Sequence, residues 1–136
     1  MKRPEQQIQR QVFAHIRARA FPGVFAFCVP NGVNSSARIG GIMKSMGVVA
    51  GVPDICIIHR ATSHFLELKA GRNKPTQQQK DVMDMLALAG ARVAVAYSLD
   101  EALYTLECWG ILRRDHAARN TIFATEDQSR ESRSCA

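Results

Sequence analysis

Apolar positions recur along this chain in short blocks, at helix spacing in some and strand spacing in others, with glycine, proline and asparagine between them. Over residues 4–20, Ile8, Val12 and Ile16 fall on one face and Pro4 occupies the first turn, which predicts a helix. Residues 24–29 are apolar and β-prone, and Pro30, Asn31 and Gly32 close that strand with turn chemistry. Ile39, Ile42, Met43 and Met46 predict a short helix inside the glycine-rich stretch 34–51. Strands over 54–59 and 63–69 are joined by a link, 60–62, that suits a hairpin. Thr76 is a good N-cap with Gln79 at the capping-box position, and Val82, Met85, Leu86 and Ala89 form the apolar stripe of a helix that Gly90 ends. A strand over 91–97 follows, then a second capping box, Ser98 with Glu101, opens a helix through Leu103 and Leu106 to Trp109, closed by Gly110.

From Arg113 onward the periodicity is lost, so residues 113–136 are expected to be a polar, mobile tail behind one domain over residues 1–112. The order α-β-(short α)-β-β-α-β-α predicts the α/β class: a mixed sheet flanked by helices, antiparallel at its central hairpin.

Charged residues interrupt the apolar pattern in places where a core is expected. Glu67 and Lys69 are two apart on a strand, so they share a face, while Leu66 and Leu68 point to the other. Asp54 begins the neighbouring strand, and Pro53 before it has no N–H, which is tolerable where pairing starts. Two opposite charges on a covered sheet face are costly without partners. An ion-pair cluster would satisfy them. So would metal-assisted phosphodiester hydrolysis: magnesium takes carboxylate oxygens, and a lysine beside it can orient the attacking hydroxide or neutralise developing charge. Glu5 falls in line with Ile8, Val12 and Ile16, so a carboxylate begins the buried stripe of the first helix. The helix macrodipole accounts for an anion there as well as a site would.

Composition narrows the partners. With 18 basic and 12 acidic side chains the net charge is +6, which suits a polyanion without requiring one. Residues 1–112 hold 13 basic and 8 acidic side chains, and Glu5, Asp54 and Glu67 are three of the acids, so the outer surface is strongly basic. Few aromatics are available for base stacking, which favours phosphate and shape contacts and low sequence specificity. The 46% hydrophobic and 22% charged residues are ordinary for a soluble domain, and no apolar run is long enough to cross a bilayer. The N-terminus lacks a secretory signal, so a cytoplasmic protein is expected. Cys28, Cys56, Cys108 and Cys135 are widely spaced and contain no CxxC pair, which supports neither a disulfide framework nor a zinc site. His15, His59, His64 and His116 lack zinc-protease spacing, and His64 is expected on the surface at the hairpin edge. Phosphate loops of the GxGxxG and GxxxxGK[ST] types are absent, so no nucleotide cofactor is expected.

Taken together, Glu5, Asn31, Gly47, the Gly51-Val52-Pro53-Asp54 run, Glu67-Leu68-Lys69 and Gln79 resemble the VRR-NUC domain, the virus-type replication-repair branch of the PD-(D/E)xK nucleases. The resemblance covers residues 4–110. It implies a restriction-endonuclease-like αβββαβ core and metal ligation by Asp54, Glu67 and the Leu68 carbonyl. It further implies catalytic assistance from Lys69, supporting roles for Glu5 and Gln79, and Mg²⁺ as cofactor with Mn²⁺ as substitute. For Gln79 the capping role and the site role can hold together, and Asn31 is equally explained as a turn residue. Stand-alone members of this size resemble structure-selective DNA endonucleases, homodimeric and in part specific for four-way junctions, encoded by bacteria or their phages. Asn31, Arg38, Lys44, Arg72 and Lys74 are the candidate DNA contacts, although a solvated basic face also explains Arg38 and Lys44. The competing expectation is a non-catalytic DNA-binding module on a degenerate nuclease fold.

Overall fold

In a computed structural model of the chain, residues 3–30 and 36–115 are described. The helix α1 (Arg3–Arg19) is followed by β1 (Phe25–Cys28), α2 (Ala37–Ser45), β2 (Ile55–His59) and β3 (Thr62–Leu68). Then come α3 (Gln77–Leu88), β4 (Arg92–Ala96) and α4 (Leu99–Cys108). This is the expected order, and the strands form one mixed sheet, β1-β2-β3-β4. β1 and β2 are antiparallel, as are β2 and β3, while β4 runs parallel to β3 after the crossover through α3. Among the described residues no helix is long and apolar enough to cross a membrane.

The register of the β2–β3 hairpin decides what each face carries. His59 pairs with Thr62, so only Arg60 and Ala61 turn the chain, and both adopt positive φ (49° and 60°) as a two-residue hairpin requires. Ile55 and Ile57 then stand opposite Leu66 and His64. This face packs against α1 and α4 in a core of Val12, Ile16, Ile55, Ile57, Leu66, Leu68, Ala102 and Leu106, closed from the C-terminal side by Ile111 and Leu112. The remaining face of β2 and β3 begins with Asp54, just ahead of the first residue of β2, and carries Glu67.

Three expectations are corrected. His64 is buried rather than on the surface: it shares the Leu66 and Leu68 face, Nδ1 lies 3.1 Å from the Ile57 carbonyl oxygen, and its ring sits 5.1 Å from that of Trp109. Facing away from Glu67 meant facing the core. On α3, Val82 and Leu86 of the expected stripe are covered, but Met85 and Ala89 are exposed and Gln79 and Met83 are covered in their place, so the buried face is rotated from the predicted one. The hairpin link is two residues, Arg60 and Ala61, rather than 60–62, because Thr62 already belongs to β3 and pairs with His59.

Asn31, His116 and residues 116–136 of the expected tail lie outside the described residues. The start of that tail is attached: the Arg113 N–H donates to the Arg19 carbonyl at 3.0 Å, and its guanidinium lies over Phe21. α2 is capped by Ser36, which accepts from the Ile39 N–H, yet it buries none of its residues. Ile39, Ile42 and Met46 are exposed, as are Phe25 and Phe27 on β1.

Candidate active site

Asp54 and Glu67 come together because the hairpin register continues one residue past β2. Ile55 pairs with Leu66, so Asp54 stands opposite Glu67. Pro53, fully buried, has no N–H to give to the ladder, and at this end of the hairpin the acceptor for β3 is a side chain: Asp54 Oδ2 accepts the Leu68 N–H at 2.8 Å. Both carboxylates are buried, Asp54 at 6% exposure and Glu67 at 2%.

Glu67 is held by two side chains through Oε1, and the Asp54 N–H also bears on its carboxyl. Oε1 lies 3.3 Å from Lys69 Nζ and accepts from Gln79 Nε2 at 3.0 Å. Lys69 reaches it because residues two apart on a strand share a face. Gln79 reaches it from the first turn of α3, where its other end completes the capping box: Oε1 accepts the Thr76 N–H at 2.9 Å, and Thr76 Oγ1 accepts the Gln79 N–H. The capping role and the site role therefore hold together. The loop before Asp54 packs on the same turn. Gly51 has φ +87°, and a side chain there would meet the Gln78 carbonyl oxygen at 3.2 Å.

Glu5 is buried at the start of α1, and its charge is close enough to help raise the Asp54 pKa. Its Oε1 accepts from Asn73 Nδ2 at 3.3 Å. The expected site residues Glu5, Asp54, Glu67, Lys69 and Gln79 are thus gathered at one end of the sheet. Of the candidate DNA contacts, Arg72 and Lys74 are exposed in the turn between Lys69 and Thr76, while Arg38 and Lys44 are exposed on α2. Asn73 was missed, because between Gly71 and Pro75 an asparagine reads as turn chemistry.

The electrostatics are those of two carboxylates short of cations. Burial, and then the neighbouring Asp54 charge, push Glu67 up to about 7, against the pull of Lys69. Burial also raises Asp54, opposed by the Leu68 N–H and by Lys69, and reinforced by Glu5. Among the described residues Glu67 Oε2 is buried with no hydrogen-bond partner. A buried anionic oxygen without a donor is expensive unless a cation binds it. Among the described residues no group of three or more His, Cys, Asp or Glu is placed to hold a metal. Two carboxylates with one backbone carbonyl do fit an ion such as magnesium, which keeps several of its own waters.

No family model matches the chain, and no curated protein matches it. Solved structures do. One described as a VRR_NUC domain protein is 24% identical, with a TM-score of 0.65 over 84% of this chain and 99% of that one. A second, described as a VRR_NUC domain, is 20% identical, with a TM-score of 0.55 over 76% of this chain and 95% of the other. A Holliday junction resolvase, Hjc of Archaeoglobus fulgidus, is 16% identical and covers 68% of this chain; its TM-score of 0.44 is too low to carry an argument. The chain has the VRR_NUC fold, in agreement with the family resemblance of its motif residues.

Proposed function

We propose that this protein is a metal-dependent DNA endonuclease that hydrolyses phosphodiester bonds, selecting branched DNA by its structure. The observation that carries the reading is the pair of buried carboxylates from adjacent strands, Asp54 and Glu67, beside Lys69, with Glu67 Oε2 left without a partner among the described residues. A purely structural ion pair would be expected to satisfy that oxygen.

Asp54, Glu67 and the Leu68 carbonyl would hold a divalent cation, Mg²⁺ or Mn²⁺. Once bound, that ion would supply Lewis acidity toward the phosphoryl oxygens and acidify its water. The chain's own residues do the rest. Gln79 and Lys69 fix Glu67 through Oε1, leaving Oε2 for the cation. The Lys69 ammonium would orient the attacking water and offset negative charge as the phosphorus gains the water oxygen and the sugar oxygen leaves, taking up a proton from solvent. The Leu68 N–H holds Asp54 by Oδ2. Exposed Arg72 and Lys74, in the turn leaving Lys69, would contact backbone phosphates.

The protein is further proposed to act as a homodimer. Phe25 and Phe27 on β1, and Ile39 and Ile42 with Met46 on and just after α2, are large apolar side chains left exposed. Light scattering tests this separately from activity.

The decisive assay incubates the protein with four-way junction, flap and duplex DNA in Mg²⁺, Mn²⁺ or EDTA, beside Glu67→Ala and Lys69→Ala. Metal-dependent cleavage that both substitutions abolish, strongest on the junction, is expected. Binding without cleavage under every condition would favour the DNA-binding module instead.

A further inference from the structure

The turn over residues 70–75 has both of its ends at the carboxylates. It leaves Lys69, which touches Glu67 Oε1, and it enters α3 at Thr76, three residues before Gln79, which touches the same oxygen. Its middle is fastened as well. The Asn73 N–H closes a local turn onto the Ala70 carbonyl at 3.2 Å, Gly71 takes the positive φ (61°) that turn needs, and Asn73 Nδ2 donates to Glu5 Oε1 at 3.3 Å. That last bond crosses from the turn to α1, 68 residues away in sequence. Asn73 is half-buried, whereas Arg72 and Lys74 on either side of it are exposed. A fastened residue between two free cations fixes where both of them start.

We infer that Asn73 is a positioning residue. By bonding to Glu5 it ties the 70–75 turn to α1, and so holds Arg72 and Lys74 at the mouth of the carboxylate site, where they bind the phosphates flanking the scissile bond. The inference rests on the proposed nuclease function for the identity of the ligand, and it assigns Glu5 a second task, as the anchor for that turn. The chemistry of the bond supports the division of labour. An amide donor satisfies one oxygen of a buried carboxylate without adding charge beside the Asp54 and Glu67 pair.

The test measures binding of duplex and four-way junction DNA in EDTA, so that cleavage plays no part, across a range of salt concentrations. Wild type is compared with Asn73→Ala, Glu5→Ala, Glu5→Gln, Arg72→Ala/Lys74→Ala and the triple variant that adds Asn73→Ala; melting curves check that each is folded. The Arg72→Ala/Lys74→Ala protein should lose about two counterions' worth of salt dependence. Asn73→Ala should weaken binding by roughly 3- to 10-fold, and Glu5→Ala should match it. Glu5→Gln, which keeps an acceptor oxygen, should bind at least as tightly as wild type. Adding Asn73→Ala to the double variant should cost nothing further, because the cations it positions are gone; a merely structural asparagine would weaken binding in either background. Wild-type affinity in Asn73→Ala, or a loss that adds in full to the double variant, would overturn the inference. Failure of wild type to cut DNA in Mg²⁺ would overturn the nuclease reading alone.

Discussion

Replacing Glu67 with glutamine should stabilise the metal-free protein at alkaline pH while abolishing its cleavage activity. The side chain is 2% exposed, and its carboxyl is raised from the ordinary 4.5 to about 7, chiefly by burial and then by Asp54. The folded state therefore binds this proton more tightly than the unfolded chain does. Between about 4.5 and 7 the folded protein keeps the proton and the unfolded one has lost it, so stability falls as pH rises. At about 1.4 kcal/mol per pH unit, the cost reaches about 3 kcal/mol by pH 8, or roughly 10 °C in melting temperature for a domain of this size. Glutamine has the same shape, keeps an acceptor for Gln79 and has no proton to lose. Urea unfolding in EDTA should show the two proteins nearly equal at pH 4.5 and Glu67→Gln ahead by a few kcal/mol at pH 8. Mg²⁺ should then raise the melting temperature of wild type much more than that of the variant, since glutamine leaves Asp54 as the single charged ligand. A gap between the two proteins that does not vary with pH would refute the electrostatic account of this site.

Three further outcomes are expected. Gln79→Glu keeps the acceptor for the Thr76 N–H but sets a carboxylate against Glu67, so it should retain the helix by circular dichroism and lose activity at pH 8, whereas Gln79→Ala should lose activity and about 1 kcal/mol of stability together. Gly51→Ala forces a side chain into positive φ against the Gln78 backbone, and should cost about 1–3 kcal/mol in denaturant unfolding with a matching fall in kcat. His64 has its pKa lowered, by burial first, so the folded state resists protonation and stability is lost as pH falls below about 6.5; His64→Gln should flatten that acid limb without altering cleavage at pH 8.

The strands and helices were legible in the sequence because local chemistry marks their ends: Thr76 and Gln79, Ser98 and Glu101, Gly90 and Gly110 each stand where a helix begins or stops. The shared face of Glu67 and Lys69 also followed from period-two spacing, whereas Asp54 stands opposite Glu67 only because the turn is Arg60 and Ala61, one residue shorter than the expected link. What escaped was whatever depends on the partner across the gap. Parity put His64 opposite Glu67, but parity alone does not say which face is the core, and α1 with α4 made it the His64 side. Met85 and Leu86 are equally apolar, and only the seat of α3 on the sheet exposes one and covers the other. Asn73 belongs to the same class. Its bond to Glu5 spans 68 residues, and no short-range pattern encodes a contact at that separation.

Gln79 shows how far one residue's identity can be derived once those contacts are known. A capping box accepts either Glu or Gln at the third helical position, because the task there is to accept the N-cap N–H. Here the far end of the same side chain must donate to Glu67 Oε1, which a carboxylate cannot do at neutral pH. The amide has only one workable orientation: turned over, it would set N–H against the Thr76 N–H and oxygen against the Glu67 carboxylate. One side chain thus starts α3 and fixes a buried carboxylate, so the helix cannot fray at its first turn without releasing Glu67. The stability of that turn and the order of the site are coupled, and Gln79→Glu separates them because it preserves the first bond and destroys the second.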